Sequence, residues 1–174
     1  MLGLASIILA AASAATASAN ASPALTSASP WWEKVTYTIS GADAQQACVY
    51  ESSLAAARNC DGDEQSSPVR AAINSAGAYT KITIERRFTP VGGPDPLSLQ
   101  PGDTLLGGQV LALAIDGTGE VRGCRILAAS GDVRPAYGCN EARAERFEAS
   151  ARETEQVRQA FMAILVYGHE EYLA

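Results

Sequence analysis

Apolar and polar residues alternate along Lys34–Ile39, with Val35, Tyr37 and Ile39 on one side and Lys34, Thr36 and Thr38 on the other. A period of two marks a half-buried strand. The same alternation returns at Tyr79–Phe88, where Ile82, Ile84 and Phe88 oppose Lys81, Thr83, Glu85 and Arg87. Leu111, Leu113 and Ile115 share one face of a third apolar run, and the small or short residues Val110, Ala112 and Ala114 share the other. Asp116-Gly117 and the half-apolar Val121–Leu127 follow, which predicts a β-hairpin closed by a type I′ turn. Gln46–Tyr50 is a further strand, containing Cys48. Gln159–Tyr167 is apolar on both faces, with Ala160, Met162, Ile164 and Val166 against Phe161 and Leu165, so it is expected to be covered on both. Ser67-Pro68 reads as an N-cap followed by proline at the first helical position, predicting a helix to about Ser75 that Gly77 closes. A second short helix is expected over Asn140–Phe147.

The spacing of these elements repeats. Ile39 to Cys48 and Ile115 to Cys124 are both nine steps, and Cys60 to Tyr79 and Cys139 to Arg158 are both nineteen. Only the segments between cysteines differ, twelve steps against fifteen. Val35, Tyr37 and Ile39 then correspond to Leu111, Leu113 and Ile115, which reads as an internal duplication of one hairpin–helix–strand unit. Pro90–Leu106, with Gly92-Gly93-Pro94, Pro96 and Pro101-Gly102, is a linker in composition.

The first nineteen residues carry no charged side chain and end in Ala17-Ser18-Ala19, the pattern of a cleaved secretory signal. The Ser/Ala/Pro-rich stretch 20–30 reads as disordered. The chain has 174 residues and a net charge of −6, which gives no electrostatic footprint for nucleic acid. Four cysteines in an exported chain point to disulfides, and four allow three pairings. The duplication favours the local pairing Cys48–Cys60 and Cys124–Cys139, one bridge in each unit.

Residues able to carry catalysis are sparse. The single histidine, His169, lies in a charged tail beside Glu170 and Glu171, with no nucleophile placed near it. The cysteines lack C-x-x-C spacing, which disfavours structural zinc and dithiol redox chemistry. Asp61, Asp63 and Glu64 lack the remaining ligands of a calcium loop. Asp116-Gly117-Thr118-Gly119 reads as a turn, and Arg86-Arg87 is balanced by nearby acids. No enzyme, cofactor or metal is expected.

Gly108, Asp116-Gly117, Cys124-Arg125-Ile126-Leu127, Ala129-Ser130-Gly131 and Arg146-Phe147-Glu148-Ala149 follow one another in an order that resembles the C-terminal domain of TonB, the periplasmic part of the energy transducer. The resemblance covers roughly 107–167. It implies an α+β fold of two hairpin–helix–strand units, an antiparallel sheet with helices on one face. The units are expected at 31–89 and 107–174, joined by a linker at 90–106, after a signal peptide at 1–19.

The resemblance also implies a function. Such domains dock an extended segment of an outer-membrane transporter by adding it to a sheet edge. The third strand of the unit takes that role, here Gln159, Ala160, Phe161, Met162, Ala163, Ile164, Leu165, Val166 and Tyr167. The expected protein is an exported, periplasmic or secreted protein- or peptide-binding module, whose partner is a periplasmic or outer-membrane protein. Without an uncleaved anchor or a long proline-rich spacer it is not a complete energy transducer. Left open, Gln159–Tyr167 would be an aggregation hazard. It is therefore expected to pair with Tyr79–Phe88, within a monomer or between two chains, which uses up that docking edge. The alternatives are a structural or interaction protein with its edges paired to each other, and a secreted hydrolase with an unrecognised site.

Overall fold

The computed structural model describes residues 29–39, 47–54, 79–90, 92–93, 99–148 and 157–170. The expected signal peptide, the acidic loop at Asp61–Glu64 and the helix from Pro68 lie outside the described residues, as do Cys60 and the last residues of the tail.

The elements are β1 (Trp31–Thr38), β2 (Ala47–Ser52), β3 (Lys81–Thr89), β4 (Asp103–Ile115), β5 (Val121–Gly131), α1 (Cys139–Ala144) and β6 (Arg158–His169). All six strands form one sheet in the order β2-β1-β3-β6-β4-β5, antiparallel throughout. Exchanging β1, β2 and β3 with β4, β5 and β6 returns the same order read from the other end. The fold is thus mostly antiparallel β-sheet, and the expected α+β architecture with helices on one face is corrected. Among the described residues only α1 is helical, and it is six residues long. Asp103–Leu106, assigned to the linker by its proline-rich surroundings, belongs to β4 and pairs with the end of β6.

The register explains which residues are buried. Trp31, Glu33, Val35 and Tyr37 of β1 lie opposite Phe88, Arg86, Ile84 and Ile82 of β3. The row continues through Met162, Ile164, Val166 and Gly168 of β6 to Leu111, Gln109 and Gly107 of β4. This face carries the main core, on which α1 and the segment after it pack through Ala142 and Phe147. Trp31, Phe88 and Phe147 stack in series, with ring centroids 5.4 and 5.3 Å apart. β6 is buried without a break from Met162 to Gly168, as a strand apolar on both faces requires at the centre of a sheet.

Two local expectations differ from the structure. The helix stops at Ala144 rather than Phe147, because Glu145 is extended (φ −76°, ψ 157°) and Phe147 turns under the sheet, its N–H donating to the Gly119 carbonyl at 2.9 Å. The hairpin does not close by a two-residue type I′ turn. The Gly119 N–H donates to the Asp116 carbonyl, the Asp116 N–H to Glu120, and Gly119 rather than Gly117 takes the positive φ of 85°. This is a three-residue loop whose left-handed glycine forms the closing bulge. The Asp116 carboxylate selects it by accepting from the Thr118 N–H, the Thr118 hydroxyl and the Glu120 N–H. Led by the Thr118 hydroxyl, and with partial burial acting the other way, these donors and Arg122 hold that carboxyl well below the usual range.

Candidate functional site

The strand assigned to docking, Gln159–Tyr167, lies in the interior of the sheet. Thr89–Thr83 of β3 pair with Phe161–Tyr167 on one side, and Ala114–Leu105 of β4 pair with Gln159–Tyr167 on the other. From Phe161 to Tyr167 it is flanked by a strand on both edges, so that stretch offers no partner a place. That joins Tyr79–Phe88 to Gln159–Tyr167 within one chain.

One of the two expected bridges is present among the described residues. Cys124 on β5 is bonded to Cys139 at the start of α1, with Cα atoms 5.6 Å apart, and this clamps the helix to the sheet. Cys48 is disulfide-bonded as well, and the expected partner Cys60 lies outside the described residues. His169 is not in a free tail: it ends β6, with Nδ1 3.0 Å from the Asp103 carboxylate. Among the described residues no three side chains converge on a metal site.

Charges are collected in the core face. Arg86 binds Glu33 and reaches Glu145 at 2.7 Å, with its guanidinium over the rings of Tyr137 and Trp31. Tyr50 donates to the other oxygen of Glu33 at 3.0 Å, and Tyr137 to Glu145 at 2.7 Å. Burial works against the Arg86 charge, but Glu145 and Glu33 outweigh it and hold the guanidinium above its ordinary range. Every member has a partner, so the cluster is a structural rivet rather than a poised group.

What remains unpartnered is an outer strand. Among the described residues β5 pairs only with β4, and from Arg125 to Gly131 it is exposed. Ile126 and Leu127 are 54% and 43% accessible. No charge interrupts the run Ile126–Gly131. The pairing slips between Val110 and Leu111, whose partners are Ala128 and Ile126, so Leu127 is the extra residue of a bulge. Beside this edge the sheet surface is hollowed. Phe161, Ala112 and Arg125 form one row across β6, β4 and β5, and Gln159, Ala114 and Gly123 form the next. Small residues at the centre of both rows leave a recess of about 320 Å³. Arg125 is exposed and makes no ion pair among the described residues.

The sequence held a signal for this edge that pattern reading passed over. Ile126-Leu127-Ala128-Ala129 fills both faces of a strand without alternation, and a strand apolar on both faces is either central or open to a partner. No protein-family model, no curated protein and no solved structure matches the chain. The fold therefore defines its class, a mostly antiparallel β protein whose β5 is, among the described residues, an exposed apolar border strand.

Proposed function

We propose that the protein is an exported protein- or peptide-binding module that takes an extended segment by strand addition, and that it is neither an enzyme nor a complete energy transducer. The observation that carries this reading is the β5 edge, where backbone unpaired among the described residues coincides with exposed Ile126 and Leu127. Natural proteins charge, shorten or cover such borders unless something pairs with them. Export is supported by the Cys124–Cys139 disulfide, since such bonds persist in oxidising compartments. Among the described residues no helix is long and apolar enough to cross a membrane.

The likeness to the TonB C-terminal domain enters in a modified form. The self-matching strand order supports two copies of a hairpin-plus-strand unit joined through β3 and β6. In that arrangement the third strand of each unit is consumed by the other, and recognition moves to the second strand of the hairpin.

The test is capture of periplasmic and outer-membrane proteins by the mature chain beside an Ile126→Lys/Leu127→Glu variant of unchanged circular dichroism. A partner held by the parent and lost by the variant is the expected result. Identical captured sets from both would overturn the reading.

A further inference from the structure

We infer that the β5 edge is built for an extended segment of another protein that carries an acidic residue and, two positions away, a large apolar residue. This rests on the strand-addition reading and adds to it the chemistry of the partner.

The argument follows from register. A strand added beyond β5 continues the two rows that cross β6, β4 and β5. One row ends at Arg125 and the other at Gly123, two residues apart on the same face. The first therefore offers a cation and the second offers no side chain at all. Opposite Gly123 nothing separates an incoming side chain from the recess over Ala112 and Ala114, which Phe161 walls on the far side. A large apolar side chain lying across Gly123 covers the glycine and fills that recess, as cross-strand aromatics do over exposed glycines.

Charge selects the partner. The chain as a whole is acidic, at −6, yet Val121–Ala144 holds Arg122, Arg125, Arg134 and Arg143 against only Asp132 and Glu141. Opposite charges directly across a strand pair stabilise it and like charges do the reverse. A second copy of the chain is a poor occupant. β5 contains no Asp or Glu, so β5 against β5 leaves Arg125 without a carboxylate. The other border strand, β2, carries Glu51, but that residue already lies opposite Lys34 in its own sheet.

The experiment uses three capped decapeptides of valine and threonine that differ at the centre: Glu-Val-Phe, Lys-Val-Phe and Glu-Val-Ala. Binding is read by calorimetry, and its place by amide hydrogen exchange. The Glu-Val-Phe peptide is expected to bind best and to slow exchange along Arg125–Gly131. Arg125→Glu should weaken it by about fivefold or more and invert the preference between the glutamate and lysine peptides. Ala112→Leu, which fills the recess, should abolish the preference for phenylalanine over alanine while keeping that for glutamate. Both positions face outward, so circular dichroism is expected to be unchanged.

Equal binding of all three peptides, or protection at β2 instead of β5, would overturn the inference and leave strand addition standing. Absence of protection at either border by any peptide would sink both. Concentration-dependent self-association lost in Arg125→Glu would replace the foreign segment by a second copy.

Discussion

The Arg86 guanidinium donates to the Glu145 carboxylate at 2.7 Å, across fifty-nine residues of chain. This pair ties β3, inside the sheet, to the segment that follows α1. Glu33 completes it from β1, and the Arg86 and Glu33 side chains are only 10% and 8% accessible.

Removing the cation from such a centre leaves buried carboxylates uncompensated. Arg86→Met is expected to destabilise by about 3–5 kcal/mol, read as a lowered urea midpoint. Adding Glu33→Gln and Glu145→Gln to the same chain should recover part of the loss. A triple variant no more stable than the single one would show that the loss is packing against Trp31 and Tyr137 instead.

The Cys124–Cys139 bridge closes a fifteen-residue segment. Replacing both cysteines by alanine is expected to cost about 3 kcal/mol in the chain-entropy description. The loss should appear as a lower melting temperature with β-sheet circular dichroism kept at low temperature, because α1 and not the sheet depends on the clamp.

Ile164 faces the core from the centre of β6, between Arg86 of β3 and Gln109 of β4. Ile164→Pro removes a ladder donor in an interior strand and is expected to cost 3 kcal/mol or more, on the order of a helix-breaking proline. Soluble chain with native-like dispersion in an NMR spectrum would contradict the central position of β6.

Gly107 has no room for a side chain: a Cβ there would stand 1.8 Å from the Val133 carbonyl oxygen. Gly107→Ala must shift backbone and is expected to destabilise by about 1–3 kcal/mol, measured by denaturant titration.

Three tyrosines set the alkaline limit. Burial, above all, pushes the phenols of Tyr37, Tyr137 and Tyr167 upward, reinforced by Glu145 for Tyr137 and by Glu85 for Tyr167. In the unfolded chain they ionise near pH 10. Above that pH the unfolded chain binds fewer protons than the folded one, so stability is complete below about pH 10 and falls as pH rises further. Tyrosinate absorbance should lag in the folded protein and jump on unfolding, and Tyr137→Phe should flatten the decline in the urea midpoint.

Strands were legible in the sequence wherever one face is buried and one is wet. β1 satisfies that pattern, and Val35 and Tyr37 are where alternation puts them, whereas β3 departs from it because Thr83 and Glu85 on its polar face are buried along with Ile82 and Phe88. Central burial of β6 was also legible, since Phe161 and Leu165 leave its second face as apolar as its first. The turn was not, because the dipeptide Asp116-Gly117 carries no record of the three hydrogen bonds its own carboxylate makes. The helix was over-extended because Phe147 fits a helical stripe as well as it fits a pocket under Phe88. The start of β4 was hidden by Pro101-Gly102, which punctuate a strand start as readily as a linker. That β5 rather than β6 forms a border was not legible for a topological reason: which strand is outermost depends on β3 meeting β6, and strand periodicity carries no information about neighbours.

The same meeting sets an order of events during folding. Thr38 meets Ala47 and Ile115 meets Val121 within one hairpin each, whereas Lys81 meets His169 across half the chain. Ring closure over a short interval costs less entropy than over a long one, so the hairpins precede the seam between the halves. Until that seam closes, each half presents a raw strand to any other half in solution. Refolding at high concentration therefore favours exchanged dimers in which β3 of one molecule finds β6 of another, built from the same contacts as the monomer.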